Sequence, residues 1–302
     1  MEFGCYHRRC DECSRYFECS FPSKQNRFEG VRQDKIAGRM SLIKHKLAIV
    51  SGKGGVGKST VSANIALSLA YRGYRVGIVD SDFHGPCIPK LLGVNGQRLT
   101  ISRKGIHPIE GPLGIKVISM GFLLEEGEAV SWFHDLKKGA LGDFLAEVDY
   151  GSLDWLVIDL PPGTGSENYN LLRDLPQLDG VVAVTIPSQL SHQIVERGLS
   201  LYRQADVPIL GVIENMAGFS CPDCNTVTPI FSEKTGQEWA QETQVPWLGD
   251  IPLDERISSA SDSGLPFIIE NPDLPASLKL KEITKNIISR LDMKTDASVS
   301  SI

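Results

Sequence analysis

Aromatic side chains are scarce in this 302-residue chain, at 7%, which leaves little surface for stacking on nucleic-acid bases. Positive charge is short as well. The 31 Lys and Arg against 37 Asp and Glu give a formal net charge of −6, so no nucleic-acid partner is expected. No apolar run approaches the ~18 residues of a membrane span. The N-terminus, with Arg8, Arg9, Asp11 and Glu12, lacks the apolar core of a secretory signal. No internal repeat is visible. These absences point to a soluble cytoplasmic protein with neither nucleic acid nor membrane among its partners. In that compartment a disulfide framework is disfavoured, and clustered cysteines read as metal ligands or redox groups. The length is ample for one α/β domain with a sizeable core and an appendage.

What the chain does have is the run Gly52-Lys53-Gly54-Gly55-Val56-Gly57-Lys58-Ser59-Thr60. It fits the phosphate-loop pattern G-x-x-x-x-G-K-[ST], in which backbone N–H groups curl around phosphate oxygens. Lys58 would reach the β- and γ-phosphates, and the Ser59 hydroxyl would ligate Mg²⁺. The flanks agree: Leu47–Val50 reads as a buried strand and Val61–Tyr71 as a helix. Strand, glycine loop and helix N-terminus form the arrangement that binds a nucleotide phosphate.

Other strand ends add carboxylates and an amide. A second strand ends in Asp80-Ser81-Asp82, and such residues face the ligand crevice of a parallel sheet, where one carboxylate can orient or deprotonate a water. Trp155-Leu156-Val157-Ile158-Asp159 is an apolar strand ending in an acid, the arrangement that holds Mg²⁺ directly or through water. Leu160-Pro161-Pro162-Gly163-Thr164-Gly165 follows, rigid then flexible, as a phosphate-sensing switch requires. Asn215, ending the strand from Ile209, offers the donor and acceptor that suit an adenine edge; an ordinary turn residue is the alternative.

The cysteines fall into two groups and a single. Cys221-Pro222-Asp223-Cys224 has a spacing that suits zinc or an iron–sulfur centre. A thioredoxin-like redox site would need a helix opening at the motif, and Asn225–Pro229 does not look helical. One chain supplies two thiolates here; two chains across a dyad would supply four, enough for one 4Fe–4S cluster. A structural zinc bridging the same dimer is the alternative. Cys5-x₄-Cys10-x₂-Cys13-x₅-Cys19 can close around a single centre without a partner, as an iron–sulfur cluster or as zinc. Cys87 stands alone and reads as a packed thiol.

Lys53 resembles the extra lysine of the deviant P-loop class of dimeric ATPases, which includes nitrogenase iron protein, the ParA/MinD proteins and the Mrp/ApbC carriers. In that class this lysine crosses the dimer interface to the neighbour's phosphates. Within the class, GKGGVGKST, the Asp-x-Asp-x-x-Gly-Pro segment, IDLPPGTG, ENM and the following CxxC together resemble the Mrp/ApbC family of iron–sulfur cluster carriers. The N-terminal cysteines resemble the extension of the cytosolic scaffold subtype. The resemblance covers residues 42–292, and residues 1–20 by cysteine pattern only. It implies a homodimer that binds and hydrolyses ATP, assembles a labile 4Fe–4S cluster at the shared CxxC, and passes it to apo iron–sulfur proteins. It also implies that Asp82 positions the water, that Asn215 contacts the base, and that the Ile251-Pro252-Leu253-Asp254 segment closes over it. Ser166, Cys87 and the Trp132-Phe133-His134-Asp135 run depart from the family pattern.

The expected fold is α/β: a mostly parallel sheet flanked by helices, because continuously apolar strands alternate with helical segments. Strands are expected at Leu47–Ser51, Arg75–Asp80, Ile115–Ser119, Trp155–Asp159, Gly180–Ile186, Ile209–Glu214 and Trp247–Ile251, with Gln97–Gly114 a short hairpin or loop excursion. Residues 1–40 read as a cysteine-rich appendage whose Ser20–Met40 part is a polar linker. Residues 41–292 read as the P-loop ATPase domain and 293–302 as a disordered tail. The rival reading is a ParA/MinD-like positioning ATPase using the stripe Leu280, Ile283, Ile287 and Leu291 at a membrane; core packing explains that stripe more simply. An electron-transfer ATPase like nitrogenase iron protein is the third reading.

Overall fold

The computed structural model describes residues 23–82, 85–102, 105–123, 134–163, 166–175, 177–229 and 236–299. Cys5, Cys10, Cys13 and Cys19 lie outside the described residues. The strands are β1 (Ile43–Ser51), β2 (Val76–Asp80), β3 (Thr100–Ser102), β4 (Gly105–His107), β5 (Ile109–Glu110), β6 (Lys116–Ser119), β7 (Leu153–Asp159), β8 (Gly180–Thr185), β9 (Ile209–Ser220), β10 (Val227–Thr228) and β11 (Trp247–Leu253). The helices are α1 (Ser23–Met40), α2 (Lys58–Tyr71), α3 (Ile88–Leu91), α4 (His134–Glu147), α5 (Ser166–Asp174), α6 (Gln189–Gln204), α7 (Gly236–Glu242), α8 (Glu255–Ser263), α9 (Phe267–Glu270) and α10 (Pro275–Val299).

Among the described residues one sheet runs β10-β9-β8-β1-β7-β2-β6-β5, with β11 also on β9. β1, β2, β6, β7, β8, β9 and β11 pair in parallel; β5 and β10 are antiparallel additions. Its central strands are apolar on both faces, so alternate side chains feed two cores. Leu47, Ile49, Ile78, Val157, Val182 and Val184 face one core, shared with α2 and α10. Ala48, Val50, Val79, Leu156, Ile158 and Ala183 face the other, shared with α4 and α6. Helices on both faces are the arrangement that parallel pairing requires. The Gln97–Gly114 segment contains the expected hairpin, β3 against β4.

Three expectations need correction. The Ser20–Met40 segment is helical from Ser23, not a linker. Its end is anchored: Ile36 and Met40 are buried in the core that holds Phe144 and Leu145 of α4, and Arg32 bonds both oxygens of buried Asp174 at 3.3 and 3.4 Å. Lys35–Glu147 at 2.7 Å and Arg39–Asp149 at 3.0 Å add surface pairs. The last helix runs on to Val299, where a disordered tail was expected. β9 extends past Glu214 to Ser220, because β11 and then β10 keep its backbone paired.

The stripe Leu280, Ile283, Ile287 and Leu291 of α10 is buried in the first core, as packing predicts. No helix among the described residues is long and apolar enough to cross a membrane.

Candidate nucleotide site and thiol hairpin

The crevice opens where β1, β2 and β7 end. Lys53–Thr60, Asp82, Pro162 and Cys87 line one cleft of about 470 Å³. Gly57, φ 79°, begins α2 in a left-handed conformation that only glycine adopts without strain. A Cβ there would also strike the Asn215 side-chain amide. Gly52 sits against α6, where a Cβ would lie 2.9 Å from the Val195 backbone nitrogen.

Beneath the loop the ionic groups converge. Lys58 Nζ is 2.7 Å from Asp159 Oδ2 and 3.2 Å from Ser59 Oγ. Ser59 Oγ donates to the same Asp159 Oδ2 at 2.7 Å, and Ser62 Oγ donates to Oδ1 at 2.5 Å. Asp159 is fully buried and Lys58 nearly so. A buried carboxylate beside two hydroxyls is a hard-oxygen donor set of the kind Mg²⁺ selects, so the residues fit the cation their sequence implies.

Asp80 is also buried, taking hydrogen bonds from Ser119 Oγ at 3.0 Å and Ile88 N at 3.2 Å. Burial, and then the neighbouring Asp159 charge, push its carboxyl up to about 7, against the pull of Ser119 and Lys58. Asp82 sits at the cleft, its backbone N–H bonded to Asp80 Oδ1 at 3.2 Å and its Oδ1 taking Gly85 N–H at 3.3 Å. The segment after Asp159 is tied down at Gly163, whose N–H donates to Ser51 O at 2.8 Å and whose carbonyl accepts from Asn168 Nδ2 at 2.8 Å. Thr164 and Gly165 lie outside the described residues.

A second cleft of about 320 Å³ shares Gly57, Thr60 and Ser261 with the first and is lined by Asn215, Met216, Ile251, Pro252, Asp254 and Ile257. Buried Asn215 donates through Nδ2 to Val56 O at 2.9 Å. An amide fixed by its NH₂ keeps a carbonyl acceptor for a base amino group. The structure thus gathers the loop, Asp82, Asp159, Asn215 and Pro252 at one end of the sheet.

Cys221 and Cys224 lie elsewhere, on the turn between β9 and β10. Cys221 N–H donates to Thr226 O at 3.0 Å and Asn225 N–H to Cys221 O at 2.8 Å. No helix opens at the motif, which disfavours the thioredoxin-like reading. Cys224 is exposed and Cys221 half-buried. Cys224 Sγ is 3.2 Å from Thr226 Oγ1, and hydrogen bonds from Thr226, then Cys221, hold the Cys224 thiol below its ordinary value. Exposed donors of soft sulfur suit iron–sulfur or zinc chemistry. Cys87 corrects its expectation: it is exposed at the lip of the phosphate cleft, with Sγ 3.0 Å from Gly85 O.

Sequence reasoning passed over Ser62 and Arg256. Ser62 lies one helical turn past Lys58, and that spacing was the available signal. Arg256 bonds both carboxylate oxygens of Asp254, at 2.7 and 2.6 Å, and Asn225 Oδ1 at 3.0 Å; nothing local announces the last contact.

Residues 42–288 match the family model described as ParA, the NUBPL iron-transfer P-loop NTPases. A protein of Saccharolobus solfataricus named iron-sulfur cluster carrier protein is 47% identical over 84% of this chain and 86% of its own. One of the same name from Methanocaldococcus jannaschii is 42% identical over 95% of this chain and 98% of its own. The ADP complex of a nucleotide-binding protein from Archaeoglobus fulgidus superposes with a TM-score of 0.70 at 37% identity, covering 82% of this chain and 95% of that one. The cell-division ATPase MinD of Pyrococcus furiosus shares the fold, with a TM-score of 0.61 at 22% identity over 81% of this chain and 98% of that one. The buried Lys58–Asp159–Ser59 centre and a family match over most of the chain agree: this chain belongs to the Mrp/ApbC-type iron-transfer P-loop NTPases.

Proposed function

We propose that this protein is an ATP-binding and ATP-hydrolysing carrier that assembles a labile 4Fe–4S cluster, its cargo, on a homodimer-bridging Cys221/Cys224 site and hands it to apo iron–sulfur proteins. The observation that carries the reading is the course of β9. One strand bears Asn215 at the nucleotide cleft and ends in the thiol turn six residues on. The carrier names of relatives at 42–47% identity support the cargo.

In this reading the backbone of Gly54–Thr60 and Lys58 hold the phosphates, and Lys53 reaches the partner's nucleotide. Ser59 and Asp159 would hold Mg²⁺, which when bound supplies charge neutralisation at the phosphates. Asp82 positions the attacking water, and Asn215 with Pro252 seats the base. Two thiols per chain make half a cluster site, so a second copy completes it. The N-terminal cysteines form a separate centre, iron–sulfur or zinc, within one chain.

The test is anaerobic reconstitution of protein lacking residues 1–22, with iron and sulfide counted per dimer. About four of each are expected, falling to near zero in Cys221→Ser/Cys224→Ser. Stoichiometric zinc, or iron indifferent to those substitutions, contradicts the bridging site.

A further inference from the structure

The second cleft and the thiol turn share more than a strand. Asp254 lines the cleft and caps α8, accepting the Arg256 backbone N–H at 3.0 Å. The Arg256 guanidinium grips both oxygens of Asp254 and reaches across to Asn225 Oδ1. Asn225 follows Cys224 directly and holds a left-handed backbone, φ 57°. Beside this bridge, β11 pairs with β9 at Leu253 and Phe219. Ile257, Ser258 and Ser261, farther along α8, line the same cleft. The first turn of one short helix is therefore bonded to the cysteine turn, while Ile257, Ser258 and Ser261 of that helix face the second cleft.

We infer that Arg256 is a positioning residue that couples occupancy of the base cleft to the geometry of the Cys221–Cys224 turn. A planar guanidinium with donors in a fixed fork suits this, because a displacement of Asp254 turns the whole group and moves its third bond. Asp254 is nearly fully buried and Asn225 exposed, so the bridge runs from a carboxylate in the cleft wall to an exposed turn. A base seated against Pro252–Asp254 and α8 changes the carboxylate's position; Arg256 passes the change to Asn225, and the spacing and access of the two thiols change with it. Coupling of this kind is reciprocal: whatever nucleotide does to metal capture by the turn, metal capture does to nucleotide affinity, by the same factor. The inference rests on the proposal that the turn holds the cargo, yet its consequence for thiol access does not require a cluster.

The experiment uses the full chain, reduced and stripped of iron and zinc. Cys221 and Cys224 are alkylated with iodoacetamide at fixed pH, and their rates are read by peptide mass spectrometry with and without saturating Mg·ATP. In the unaltered protein the Cys224 rate should differ by about 5-fold or more between the two conditions, the lower end of ordinary allosteric coupling. In Arg256→Ala the two rates should converge to within about 2-fold, with ATP affinity held within about 3-fold. Asn225→Gly removes the acceptor while suiting the left-handed backbone, so it should show the same loss with folding intact. Arg256→Lys, which cannot fork to both partners, should fall between. Nucleotide dependence that survives in Arg256→Ala and Asn225→Gly, or that is missing from the unaltered protein, overturns the inference. Failure of the cargo reading would appear separately, in the iron count of reconstituted protein.

Discussion

Asp80 and Asp159 stand opposite each other at the ends of adjacent parallel strands, both buried. Two carboxylates so placed do not both ionise without cost. Burial first, and then the Asp159 charge, pushes the Asp80 carboxyl up to about 7, whereas an unfolded aspartate titrates at about 3.9. Between those values the folded protein keeps a proton that the unfolded chain has released. Stability contributed by this group therefore falls as pH rises from about 4 to about 7, and stays low above. The expected decline in the nucleotide-free protein is roughly 2–4 kcal/mol. Denaturant midpoints at pH 5 and pH 8 measure it. Asp80→Asn should flatten the profile; an unchanged decline in that variant would place its origin elsewhere.

Ser62 bonds the oxygen of Asp159 that Lys58 and Ser59 do not use. Ser62→Ala leaves a buried charged acceptor short of a partner, which costs about 1–3 kcal/mol. Thermal unfolding should show that loss. The Mg²⁺ concentration for half-maximal ATPase activity should rise, since the carboxylate is free to rotate from its ligating pose. An unaltered Mg²⁺ dependence would make Ser62 a packing residue only.

The two loop lysines should separate cleanly. Lys58→Ala should abolish ATP binding, because its ammonium is the buried cation of the cleft. Lys53→Ala should retain binding but lose turnover and nucleotide-dependent dimer closure, by 10²-fold or more if it stabilises charge in the transition state, on the order of other such donors. Turnover left unchanged in Lys53→Ala would remove the role across the interface.

Much of this site was legible because its chemistry is local. The loop, the Asp80–Asp82 strand end, Asp159 and the CxxC each announce themselves within a few residues, with Asp82 chosen over Asp80 by resemblance, and the apolar strands around them fix the parallel sheet. The missed features have distant partners. Ser62 and Asp159 are 97 residues apart in sequence, and Arg256 and Asn225 31. The Ser23–Met40 helix reads as a linker because most of its residues are polar; its end is held by Ile36, Met40 and Arg32 against α4 and α5, contacts that no local pattern encodes. Cys87 reads as a packed thiol by residue type, and its place at the cleft lip goes with the neighbouring Ile88 N–H bonded to Asp80 Oδ2.

That helix yields a truncation prediction. Protein lacking residues 1–22 is the reference. Removing residues 1–41 strips Ile36 and Met40 from the second core, each worth about 1.5–3 kcal/mol of burial, and deprives buried Asp174 of Arg32. Midpoints of thermal unfolding for the two truncations should differ by several degrees. Equal midpoints would show that α1 adds nothing to the fold.

Cluster transfer tests the central claim most directly. Protein lacking residues 1–22, reconstituted anaerobically, is mixed with an apo-enzyme whose activity needs a 4Fe–4S cluster, with a chelator present to trap free iron. The account predicts that activity returns in proportion to cluster lost from the carrier, and that none returns with Cys221→Ser/Cys224→Ser. A cluster that cycles through reduction and oxidation but stays on the protein, or a hairpin that holds only zinc, would contradict it.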